Sequence, residues 1–334
     1  MPKTLDEALT LEGVLRSGGT DLQELRHLPI FAQRPVIDLR DVAGLDAITL
    51  DDQGAWIGGA AIVQQVADHP AIGERWPGLA QACGALANPQ IRNVASLAGS
   101  LLQAPRCWYY RHPDYTCLRK GGDTCYARGG DHLFHVCFDT QPCAAPHPST
   151  PGMALLAYEA KVELLVPGDA APRQLAIAEL LEPEGMPEGG LITAIRLGPP
   201  LAQERSAYVR ASNRAYAEWA LVEVLVRLRF DGEGTIDFAR VCVGAVASTP
   251  LRLTELEAAL VGQKADAANF ERVAALARAG ANPLPMTGYK LDLLDASVLE
   301  ALEQAASQTP SPILTPTPTP TPTATAVNPG APTP

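Results

Sequence analysis

Residues 90–148 read QIRNVASLAGSLLQAPRCWYYRHPDYTCLRKGGDTCYARGGDHLFHVCFDTQPCAAPHP, and this stretch organises the rest of the chain. It holds five of the seven cysteines: Cys107, Cys117, Cys125, Cys137 and Cys143. Gly, Pro, Arg, Asp and aromatic residues surround them, with no sustained helical or alternating apolar pattern. A loop of this length inside a compact domain is uncommon unless it is functional or disordered. Cysteine supplies what such a loop lacks in apolar burial, either as a disulfide set or as a metal centre. No secretory signal precedes it, which weighs against disulfides and sets the expectation of a cytoplasmic protein. Thiolates converging from a loop are the usual ligands of zinc and of iron–sulfur clusters.

The chain of 334 residues has room for two or three domains, each with an ordinary core. A net charge of −11 argues against nucleic acid or an anionic membrane surface as partner. No apolar run reaches transmembrane length, so membrane insertion is not expected. The cysteine stretch is the basic exception, with Arg106, Arg111, Arg119, Lys120 and Arg128. Cations there would offset the negative charge of thiolate-ligated metal, although a solvated loop accounts for any one of them equally well.

Outward from that stretch, the spacing of apolar residues predicts a short helix over 4–11 and a strand from Val14 into Ser17-Gly18-Gly19-Thr20-Asp21, then a helix. Adjacent glycines allow positive φ and expose backbone N–H groups that suit a pyrophosphate, while a plain turn is the simpler reading of that motif alone. Strands are expected over 36–39 and 55–59, and helices from 62 to 68 and 76 to 86, with Cys83 a core thiol. A second small-residue loop, 92–101, could clamp the same extended cofactor. Residues 153–158 read as helix, and 160–166 and 191–197 as strands. Gly198-Pro199-Pro200 is the expected domain boundary. Beyond it, 220–224 reads as helical, whereas Val226, Leu228 and Phe230 alternate with arginines as in a half-buried strand, which Asp231–Gly234 turns back into 239–246 as a hairpin. Thr254 and Glu257 have capping-box spacing, and 270–279 and 295–306 are amphipathic. Residues 307–334 are uncharged Thr-Pro repeats expected to stay extended and unpacked. The six histidines form no HExxH and no convincing Ser/His/Asp arrangement, so no catalytic residue is assigned.

The order of these motifs resembles the FAD-binding medium subunit of the xanthine dehydrogenase family of molybdenum hydroxylases, over roughly residues 3–306. The cysteine stretch, through CAAPHPS, resembles a narrower branch. That branch includes the flavin subunits of periplasmic-type aldehyde oxidoreductases and of 4-hydroxybenzoyl-CoA reductase, which hold an additional 4Fe-4S cluster beside the flavin. The resemblance implies an α+β fold. A two-part FAD-binding domain of the vanillyl-alcohol-oxidase/PCMH type would span 1–198, with an iron–sulfur loop at 104–147. A smaller α+β domain of the CO dehydrogenase flavoprotein C-terminal type would span 199–306, followed by a disordered tail, 307–334.

By position, the resemblance places the FAD pyrophosphate and ribityl chain on Ser17, Gly18, Gly19, Thr20 and Asp21, and on Ser96, Leu97, Ala98, Gly99 and Ser100. It places the cluster on Cys107, Cys117, Cys125 and Cys143, leaving Cys137 as a spare buried thiol. Spacings of nine, seven and seventeen residues lack the short CxxC pairs typical of structural zinc. The function implied is an electron-transfer subunit that turns over no substrate alone. It would pass electrons between a molybdenum-cofactor large subunit with a 2Fe-2S small subunit and an external acceptor. Ala98 and Ser100 replace a glycine and an asparagine of the family loop, and Thr150 stands where an aspartate is common. These departures motivate an alternative, an iron–sulfur or zinc-stabilised scaffold subunit that has lost FAD.

Overall fold

The computed structural model describes residues 1–214 and 217–311. Strands β1 (Val14–Arg16) and β2 (Val36–Asp38) pair in parallel, and β1 runs directly into the Gly18-Gly19 turn. A second sheet contains β3 (Ile48–Asp51), β4 (Gly54–Gly58), β5 (Lys161–Leu165), β6 (Arg173–Ala176) and β7 (Leu191–Leu197). Its order is β3-β4-β7-β5-β6, with antiparallel neighbours throughout. β7 is central and buried at every position except Arg196, which explains its nearly continuous apolar run. Helices Val63–Asp68, Pro77–Ala85 and Thr150–Ala157 pack on this sheet: Val66, Leu79, Cys83, Met153 and Leu155 share one core with Ile57, Val162 and Ile195.

The third sheet has the order β11-β10-β9-β8, from β8 (Arg205–Ala211), β9 (Val222–Phe230), β10 (Ile236–Gly244) and β11 (Leu251–Arg252). The β9–β10 hairpin is antiparallel, as the Asp231–Gly234 turn implies. Residues 220–224 are not helical. Val222 to Leu228 are buried without alternation because β9 is covered on two sides. Leu294, Val298, Ala301 and Leu302 of helix Tyr289–Ser307 cluster with Val224, Val226 and Leu228, while Leu225 joins the core of the second sheet.

The capping box at Thr254 does not form. Leu253 occupies the cap position without a side-chain bond. Glu257 instead accepts from Val241 N at 3.0 Å and pairs with Arg252 at 2.7 Å. Helix 76–86 starts one residue late, at Pro77, because Trp76 ends the preceding helix Pro70–Arg75. Strands β3 and β6, short and at the sheet edges, were not anticipated.

Where the second and third sheets meet, Arg227 pairs with Glu204 at 2.7 Å and donates to Ala157 O at 2.6 Å. Tyr158 Oη donates to the other Glu204 oxygen at 2.8 Å. Every member of this network is buried. The Thr-Pro segment lies outside the described residues from 312 onward. Before it, Ser307 closes helix Tyr289–Ser307, and Ser311 N donates to Glu204 O at 2.8 Å. Among the described residues, no helix is long and apolar enough to cross a membrane.

Candidate cofactor site

Ser17 to Asp21 connect β1 to helix Leu22–Leu25. Gly19 has φ of +71°, a region that glycine enters without steric cost. A Cβ on Gly18 would collide with Val94 O and lie 2.9 Å from Ala95 Cα, so this glycine lets two backbone segments meet. No backbone carbonyl among the described residues accepts from the amides of Ser17, Gly18, Gly19 or Thr20. Consecutive free amides in a turn make an anion-binding concavity.

These residues border a cavity of about 820 Å³, which Ser96, Ala98 and Gly99 also line. Leu97 and Ser100 are not on its walls. Leu97 is fully buried in the core, and Ser100 Oγ faces Ser149 Oγ at 3.4 Å. The expected second loop is a short helix, Leu97–Leu101, capped by Ser96, and its amides are largely engaged: Leu97 N donates to Ala61 O, Ala98 N to Gly59 O, and Gly99 N to Ser96 Oγ. This loop therefore contributes surface and a hydroxyl, whereas the first contributes free donors. Gly59, Ala60, Leu191 and Ile192 also line the cavity and were missed. The Gly58-Gly59 pair was the available signal, since a Cβ on Gly59 would strike Ile192 O.

Asp21 lines the cavity, but its carboxylate is engaged elsewhere. It accepts from Ala104 N at 2.7 Å and pairs with Arg111 at 2.7 Å and Arg106 at 3.2 Å. Glu24 takes the same two arginines, at 2.9 and 2.8 Å. The acidic end of the glycine loop thus ties down the start of the cysteine loop. On its far side, that loop is held by Lys290 Nζ, which donates to Ala245 O and Phe134 O, and by Tyr289 Oη, which donates to Leu133 O.

Cys107, Cys117, Cys125 and Cys143 line one small cavity together with Tyr109, Tyr110 and Tyr126. Burial pushes the Cys107 thiol up to about 11, opposed by the amides of Tyr110 and Tyr109 and reinforced by Cys143 and Cys117. Cys137 is elsewhere, fully buried in the core of the third sheet, where burial pushes its thiol up to about 11. The four thiols enclose about 20 Å³, room for roughly one water. Among the described residues, no three His, Cys, Asp or Glu side chains converge on a single-ion position. The donor chemistry fits a metal group held by thiolates, but a cavity this small would have to widen to take a cluster.

The two cavities share Pro105, Tyr110, Leu118, Arg119 and Cys143 as common wall. Beside Ser149, the carboxylate absent at Thr150 has a neighbour on β9. Buried Glu223 bonds Thr150 and accepts from Tyr208 Oη at 3.0 Å, and burial raises its pKa against those two bonds. Glu223, Thr150, His135 and Trp219 line a third cavity, of about 210 Å³.

Residues 1–200 match the family described as the FAD binding domain in molybdopterin dehydrogenase, and residues 207–305 match the CO dehydrogenase flavoprotein C-terminal domain. The chain is 31% identical over 303 residues to the aldehyde oxidoreductase FAD-binding subunit of Escherichia coli (strain K12), covering 87% of this chain and 91% of that protein. Two solved structures share the fold across 91% of this chain and 95% of theirs. They are quinoline 2-oxidoreductase from Pseudomonas putida 86, at TM-score 0.71 and 17% identity, and a carbon monoxide dehydrogenase from Hydrogenophaga pseudoflava, at 0.70 and 24%.

Proposed function

Because the chain belongs to the FAD-binding subunits of the xanthine dehydrogenase/CO dehydrogenase family of molybdenum hydroxylases, we propose that it is the electron-transfer subunit of such a complex. In this reading the 820 Å³ cavity holds FAD, and Cys107, Cys117, Cys125 and Cys143 hold a 4Fe-4S cluster. The observation that carries it is the common wall: two cavities of different chemistry meet at Tyr110, Leu118, Arg119 and Cys143. Bound there, FAD and cluster supply electron transfer between the molybdenum and 2Fe-2S subunits and an external acceptor.

The chain's own residues bind and position. The amides of Ser17 to Thr20 are suited to the pyrophosphate, and Ser96, Ala98 and Gly99 form the facing wall. Asp21 and Glu24 keep the cysteine loop against the glycine loop through Arg106 and Arg111. Partner subunits carry the substrate chemistry in this reading. Free donors on the first loop support retention of FAD despite Ala98 and Ser100. Four thiols round one cavity, without the short CxxC pairs typical of structural zinc, favour a polynuclear group in this reading.

Anaerobic purification of the complex, followed by assays for flavin, iron, sulfide and zinc, tests this. FAD is expected together with about four irons and four sulfides beyond those of the 2Fe-2S subunit. That excess iron and sulfide without flavin, or zinc in its place, would instead establish the scaffold alternative.

A further inference from the structure

Among the arginines of the cysteine loop, three are neutralised. Arg106 and Arg111 pair with Asp21 and Glu24, and Arg128 pairs with Asp139 at 2.6 Å. Arg119 pairs with no carboxylate among the described residues. Its Nε instead donates to Cys143 Sγ at 3.3 Å. Its side chain is exposed, yet it lines both the large cavity and the cysteine cavity.

We infer that Arg119 is a positioning residue that sets the reduction potential of the metal group at Cys143 by presenting one uncompensated positive charge and one donor to that sulfur. The inference rests on the reading that the four cysteines hold a cluster. Reduction adds one electron to such a group, with no bond made or broken. A donor and a cation at the sulfur stabilise the more electron-rich state, so they raise the potential. A hydrogen bond to an ionised acceptor is also roughly twice as strong as one between neutral groups, so this contact strengthens when Cys143 is a thiolate. The neutralised arginines have no comparable leverage, because neighbouring carboxylates offset their fields. Arg119 also stands on the wall that the large cavity shares, which puts the uncompensated charge between the two proposed redox groups.

The test is a dithionite titration of the complete complex followed by EPR, with Arg119→Gln, Arg119→Lys and the unaltered chain compared. Gln keeps a donor but removes the charge, while Lys keeps the charge without the planar fork. The cluster midpoint should fall in Arg119→Gln and fall less in Arg119→Lys, with iron content unchanged because the side chain is exposed. An unshifted midpoint in Arg119→Gln at full iron content overturns the assignment. So does loss of iron from both variants, since that would make Arg119 a requirement for assembly. An unaltered complex that shows 2Fe-2S signals but no 4Fe-4S signal would defeat the underlying cluster reading instead, and is distinguishable from either result.

Discussion

Replacing Gly18 with alanine should selectively damage flavin binding. The added methyl would meet Val94 O, with Ala95 Cα and Val94 C each at 2.9 Å. All three are backbone atoms, so no side chain can rotate away, and the turn carrying the amides of Ser17 to Thr20 must shift. Overpacking of this kind costs about 1–3 kcal/mol. If that cost falls on the binding-competent turn, FAD affinity drops about five- to 140-fold, at ~1.4 kcal/mol per factor of ten. The control is Gly262→Ala, where φ is +83° but nothing lies within 4 Å. Alanine there carries a left-handed backbone cost of about 1–2 kcal/mol without touching the cavity. Deflavinated protein is titrated with FAD by flavin fluorescence, and both variants are also unfolded in urea. Both should lose stability, but only Gly18→Ala should lose affinity. Unchanged affinity in Gly18→Ala, or an equal loss in Gly262→Ala, would refute the assignment of this turn.

Other substitutions follow from the same contacts. Asp21→Asn removes the charge that holds Arg111 and Arg106 and should cost about 1–3 kcal/mol, seen as faster proteolysis within residues 104–147. Unaltered cleavage would show that the tether is dispensable. Arg227→Ala leaves Glu204, 1% exposed, without its ion-pair partner, and should lower stability in urea by about 3–5 kcal/mol; a loss under about 1 kcal/mol would contradict the network. His135 is buried with neither ring nitrogen bonded, and burial, with Lys290 and His132 adding, depresses its pKa from 6.5 to about 4. The unfolded chain therefore takes up a proton that the folded chain refuses, and stability falls as pH drops from about 6.5 toward 4. At pH 5 the loss is about 2 kcal/mol. His135→Leu should reduce the difference in urea midpoint between pH 7 and pH 5, and an identical difference would refute it.

The class of fold was legible because the decisive patterns are local. The apolar run of β7 and the Asp231–Gly234 hairpin signal each follow from a few neighbouring residues. What was not legible depended on distant partners. Glu257 has capping-box spacing, yet Arg252 and Val241 N claim its carboxylate. Residues 220–224 look helical in isolation, but helix Tyr289–Ser307 on one side and helices Pro77–Ala85 and Thr150–Ala157 on the other bury β9 and keep it extended. The glycine turn at 18–19 was readable from composition. Asp21 could not be read as a tether, because Ala104, Arg106 and Arg111 reach it across more than eighty residues. Leu97 and Ser100 are three apart on the short helix Leu97–Leu101, so they share a face toward the core and Ser149 rather than the cavity. Arg119 was visible only as one of five basic residues; its lack of a carboxylate partner is a property of the fold.

The central claim, a cluster on four thiols beside the flavin cavity, is tested most directly by iron and acid-labile sulfide in single cysteine variants of the assembled complex. Serine at 107, 117, 125 or 143 removes a thiolate ligand and should deplete or convert the cluster. Cys137 lies in the apolar core of the third sheet, so Cys137→Ala should cost packing alone and retain full iron. Full iron and sulfide in Cys143→Ser, together with their loss in Cys137→Ala, would contradict the account.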